Sequence, residues 1–104
     1  MELLLSGGRK ATFRTLNARE SMKADAMIVE GANQAVFIKT YAICAIREVD
    51  GKPTNALANR TEFDAFADTL TLGDLVKATE AFRDEENIEG DDLKNESSAT
   101  TSQA

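Results

Sequence analysis

The chain has 104 residues, 42% of them hydrophobic, with one Pro, one Cys, no His and a formal net charge of −6 at pH 7. That length fits one domain, because halves would be too short to bury adequate cores, and the composition is that of an ordinary globular protein. The same figures argue against a membrane span, since no apolar run approaches about 18 residues, and against a disulfide framework, since Cys44 stands alone.

Met1-Glu2-Leu3-Leu4-Leu5 is too short an apolar stretch for a secretory signal and has no basic segment before it. A reducing cytoplasm is therefore the expected compartment. Residues 1–83 carry eleven basic and eleven acidic groups, so the whole imbalance lies in residues 84–104, where seven carboxylates face Lys94 alone. A balanced body offers no basic face to a phosphate backbone, and nucleic acid is not an expected partner.

Taken in order, Leu3 and Leu5 alternate with Glu2 and Leu4, and beyond Ser6-Gly7-Gly8-Arg9 the residues Ala11, Phe13 and Thr15 alternate with Thr12, Arg14 and Leu16. Alternation on either side of a Gly-Gly turn predicts a β-hairpin over 2–16, which needs a further layer to lie on. Asn17, with Glu20 three positions later, predicts a capped helix over about 17–30, stopped by Gly31. A second helix is expected over 33–49. Ala35, Val36, Phe37, Ile38, Tyr41, Ala42, Ile43, Cys44, Ala45, Ile46 and Val49 leave it apolar on nearly every face, which is characteristic of a central helix or one partly covered by a partner.

Asp50-Gly51-Lys52-Pro53 reads as a turn, with Gly51 ending that helix and Pro53 preventing its resumption. Thr61 with Asp64 predicts a third helix over 61–70, in which Phe63, Phe66, Ala67 and Leu70 form the apolar stripe. Thr71 with Asp74 predicts a fourth over 72–86, with Leu75, Ala78, Thr79 and Phe82 inward. Apolar residues then fade to Ile88 and Leu93, and residues 88–104 are expected to form a disordered acidic and polar tail. The expected fold is α+β, mainly α, with a hairpin packed on about four short helices in a single domain over 1–87.

No catalytic constellation emerges. The absence of His removes the commonest general base and metal ligand. Cys44 lies in the most apolar stretch and reads as a small buried hydrophobe. Ser6-Gly7-Gly8-Arg9-Lys10 lacks the spacing of a phosphate-binding loop and leads into a strand. The acidic run from Asp84 to Asp92 lacks the alternating register of a calcium loop. Neither an enzyme nor a cofactor is expected. The remaining lead is the apolar surplus of the second helix, which points to a protein partner, with Met22, Met27, Phe37 and Tyr41 as candidate contact residues.

The order of Leu5-Ser6-Gly7-Gly8-Arg9-Lys10-Ala11-Thr12-Phe13-Arg14, Leu16-Asn17-Ala18-Arg19-Glu20, the segment from Tyr41 to Pro53, Phe63-Asp64-Ala65-Phe66 and Leu72-Gly73-Asp74-Leu75 resembles the tail assembly chaperones of tailed bacteriophages, including contractile-tailed and Mu-like phages. The likeness spans residues 5–83. It implies a protein of the infected host cell's cytoplasm that binds the tape measure protein, keeps it soluble, helps recruit tail tube subunits and is missing from the mature virion. In that family a frameshifted longer form also occurs, and self-association through the second helix is compatible with the pattern here. The resemblance carries over no catalytic residue and no binding motif. The competing expectation is a small structural virion component, such as a baseplate or tail-completion subunit; a small regulator stands third.

Overall fold

A computed structural model describes residues 1–86, so the tail expected from residue 88 lies outside the described residues. The described chain runs β1 (Glu2–Leu4), a 3-10 turn (Ser6–Gly8), β2 (Lys10–Phe13), α1 (Ala18–Asp25), α2 (Gln34–Ala45), β3 (Ile46–Val49), β4 (Lys52–Pro53), α3 (Arg60–Ala67) and α4 (Leu72–Glu85). The class is α+β and mainly α, as expected, but the sheet has four antiparallel strands in the order β1-β2-β3-β4. The hairpin over 2–16 is thus only half of it, and its second strand ends at Phe13.

The predicted helix over 33–49 is corrected at its C-terminal end. α2 stops at Ala45, and Ile46–Val49 is a strand paired with β2. The Arg14 amide donates to the Ala45 carbonyl at 2.9 Å, and Ile46 is already extended with ψ 107°. Capture of a terminal carbonyl by the β2 chain thus turns the backbone straight from helix into sheet. Asp50 and Gly51 follow, with φ of 53° and 82°, and Val49 pairs with Lys52 across them. Two consecutive positive φ values make this a primed two-residue hairpin turn, whose twist matches that of the flanking strands. Gly51 therefore closes a hairpin instead of ending a helix.

β2 alternates as its sequence requires, with Ala11 and Phe13 buried and Lys10 and Thr12 exposed. One face of the sheet is therefore core and the other solvent. Ala11 pairs with Val49 and Thr12 with Glu48, but Phe13 pairs with Ile46, so Arg47 is the extra residue of a bulge. Bulges re-aim side chains. Here the Arg47 guanidinium donates twice to Glu20, at 2.8 and 2.9 Å, and also to the Arg14 and Thr15 carbonyls. Glu20 belongs to the capping box of α1, where Asn17 Oδ1 accepts from the Glu20 amide and Glu20 Oε1 accepts from the Asn17 amide. The bulge thus pins the start of α1 to the sheet.

α1 ends five residues short of expectation. After Asp25 the amides of Ala26, Met27 and Ile28 donate three residues back, so the chain tightens into turns. α3 begins at Arg60, capped by Asn59, whose side chain accepts from the Glu62 amide at 2.9 Å. Asn caps more strongly than Thr, and the expected Thr61 cap lies inside the helix. The Thr71–Asp74 capping box of α4 forms as predicted.

The core gathers Leu5, Phe13 and Ile46 from the sheet side with Phe63, Phe66 and Phe82 from the helices. The broadest helix contact joins α2 to α4. Ala42, Ala45, Ala78 and Ala81 are all buried, and small side chains let two helices approach closely.

Candidate partner-binding surface

The expected contact residues take four different positions. Met22 on α1 is 71% exposed, whereas Met27, in the turns after α1, is 6% exposed and belongs to the core. Met27 is therefore a packing residue, and Arg60 Nη1 donates to its carbonyl at 3.0 Å. Phe37, 37% exposed, stands edge-on to Tyr41 with ring centroids 6.3 Å apart and planes at 86°. Tyr41 is half-buried, packs against Phe82 at 6.0 Å and donates its hydroxyl to Asp25. Burial, the Asp25 hydrogen bond and the Asp25 charge push the tyrosine pKa up to about 12. Asp25 lies one turn beyond Met22 on α1, and Tyr41 one turn beyond Phe37 on α2. The hydroxyl bond therefore joins the two helices beside their exposed apolar residues, and Met27 is absent from that edge.

A second apolar surface, absent from the expected set, runs along α4. Leu72 and Val76 are 74% and 48% exposed, and Leu75 and Thr79 are half-buried beside them. Leu72, Val76, Thr79 and Arg83 recur at i, i+4, i+7 and i+11, which is a single stripe along the helix. This stripe lies next to the inward face of Asp74, Ala78, Ala81 and Phe82. Together with Lys39 of α2, it lines a groove of about 240 Å³. Val36 and Ile43, half-buried, are one turn before and one turn after Lys39 on the same face of α2. The signal for this surface was in the sequence: Leu72 and Val76 fall outside the inward stripe of the fourth helix, and outward leucine and valine at helical spacing have no packing role of their own.

The charged groups of this groove are Lys39, Glu80 and Arg83. None of them enters an ion pair among the described residues. The Arg83 Nε is shielded from solvent and has no hydrogen-bond partner among the described residues. A buried donor left unpaired is costly.

Two further concave regions are lined differently. One, of about 350 Å³, lies between the β3–β4 hairpin and α3, where Arg9, Lys52, Pro53, Glu62 and Phe66 meet. The other, of about 460 Å³, lies between the end of α1 and the start of α3. Among the described residues, no group of three or more Cys, Asp or Glu side chains is placed to hold a metal ion, and no helix is long and apolar enough to cross a membrane. Cys44 is buried, and burial pushes its thiol up to about 12.

In comparisons with known proteins, no family model, no curated protein and no solved structure matches this chain.

Proposed function

We propose that this protein is a tail assembly chaperone of a tailed bacteriophage, which binds the tape measure protein and keeps it soluble while tail tube subunits assemble around it. The observation that supports this reading is the pair Leu72 and Val76, left uncovered on α4 with half-buried Leu75 beside them. Large apolar side chains in a row on a small domain fit contact with another chain, and a long helical client has apolar stripes of the same period. Exposed Met22 and Phe37 extend the adaptable apolar surface to the edge between α1 and α2. A net charge of −6 keeps the resulting complex from associating further.

The test is co-expression with the tape measure protein encoded in the same phage genome. The expected result is that the client moves from the pellet to the soluble fraction and co-purifies with this chain. A client equally soluble alone, or one that stays insoluble beside an abundant soluble partner, would refute the reading. Mass spectrometry of purified particles separates it from a structural virion role, since a chaperone is expected to be missing from them.

A further inference from the structure

From the groove between α2 and α4 we infer a docking site for one amphipathic helix of a partner protein whose apolar stripe is flanked by carboxylates, with Arg83 and Lys39 receiving those carboxylates. This deepens the chaperone reading and rests on it only in naming the client as the source of the helix. Three observations carry it. The stripe from Leu72 to Arg83 is about 16 Å long at 1.5 Å per residue, which matches three turns of a partner helix. Its apolar members stand out on the surface, with Val36 and Ile43 of α2 half-buried on the face that carries Lys39. Its charges are two cations to one carboxylate, none of them in an ion pair among the described residues.

Charge also decides between occupants. A second copy of this chain, docked groove to groove, would bring four cations against two carboxylates, and like charges in a closing interface are costly. A helix flanked by Glu or Asp neutralises the excess and satisfies Arg83 with a charge-assisted hydrogen bond. The apolar stripe supplies the affinity, and the cations select the helix.

The experiment uses the full chain and fluorescence anisotropy of a labelled synthetic helix, three turns or more in length, with Leu at i, i+4 and i+7 and Glu on both flanks. A matched peptide carries Lys in place of each Glu. The Glu-flanked helix is expected to bind at least about tenfold more tightly, the equivalent of one charge-assisted hydrogen bond. Val76→Glu is expected to abolish binding. Arg83→Gln is expected to erase most of the preference between the two peptides, and Arg83→Glu to reverse it. Lys10→Gln, on the open face of the sheet, is the control and leaves both affinities unchanged. Circular dichroism establishes that each variant is folded.

Equal binding of the two peptides overturns the proposal, because the site is then only greasy. Binding that survives Val76→Glu overturns it as well. So does a chain that takes up neither peptide but sediments as a dimer that Val76→Glu dissociates. If the Glu-flanked helix binds as expected and the tape measure protein is not solubilised, the chaperone reading fails and the docking site stands. If the client is solubilised equally well by Val76→Glu and Arg83→Gln, the docking site fails alone.

Discussion

Asp74 is the most hydrogen-bonded buried carboxylate among the described residues, with four donors on its two oxygens. It is 2% exposed, and its carboxylate accepts from the Ser6 amide at 2.7 Å, the Ser6 hydroxyl at 2.8 Å, Arg9 at 3.1 Å and the Thr71 amide at 3.1 Å. The turn of the first hairpin is thereby tied to the start of α4, 68 residues later in the chain. Burial alone would raise its pKa, but the donors of Thr71 and Ser6 outweigh that and hold it below its ordinary 3.8. A carboxylate with a lowered folded pKa stabilises the fold above its unfolded value, and that contribution is lost as pH falls through the folded one. Asp74→Asn turns an NH₂ toward donors, so it is expected to cost about 1–3 kcal/mol at pH 7, and urea titration should show the deficit closing in acid. Glu20 behaves alike, its pKa lowered from 4.5 to about 2 first by the Arg47 hydrogen bonds and then by the Asn17 amide. Glu20→Gln is expected to cost about 1–2 kcal/mol at neutral pH, with most of the difference from the parent disappearing between pH 4.5 and 2. The capping roles of Asp74 and Glu20 were legible from spacing alone, because a capping box is local. Their second partners, Ser6 and Arg47, were not, because only the fold brings those residues near.

The same division between local and non-local information explains which elements were read correctly. β1, β2 and the start of α1 follow from alternation and a cap within a few residues of one another. Ile46-Arg47-Glu48-Val49 does not, since its apolar spacing continues the pattern of α2 and fits a helix as well as a strand. What decides it is the pairing with β2, more than thirty residues earlier, together with Asp50-Gly51, whose positive φ values suit a hairpin as well as a helix stop. Asp-Gly between two apolar runs is a hairpin signal, and weighing it first would have ended the helix at Ala45. Gly51 has a φ of 82° with open space where a Cβ would stand, so the cost of a side chain there is backbone strain alone. Gly51→Ala is expected to destabilise the protein by about 1–2 kcal/mol, with the loss visible in chemical denaturation and no change in the exposure of Cys44. That thiol, buried at the sheet end of α2, should react with a disulfide reagent only as fast as the protein unfolds.

For the whole molecule, the question is where the apolar surplus goes. The stretch from Phe37 to Val49 suggested more apolar surface than one small body could cover, yet Ile38, Ala42, Cys44, Ala45 and Ile46 are all buried. Close packing of α2 on α4 through alanines, and passage of Ile46 into the sheet, absorb most of it. The uncovered surface appears instead on α4, where Leu72 and Val76 face outward. Stability and binding should therefore separate by residue. Leu72→Gln combined with Val76→Gln removes two exposed side chains from no core contact, and substitutions of that kind usually change stability by less than about 0.5 kcal/mol. Met27→Ala opens a cavity in the core, at a cost of about 2–5 kcal/mol. Urea denaturation of the two variants beside client solubility in co-expression gives four numbers, and client binding through the α4 stripe requires them to cross. The double variant should be as stable as the parent and fail to hold the client in solution. Met27→Ala should be far less stable but, at temperatures where it remains folded, should solubilise the client as the parent does. Parallel loss of stability and solubilisation in both variants would mean that the client responds only to the amount of folded protein, and that the α4 stripe makes no contact of its own.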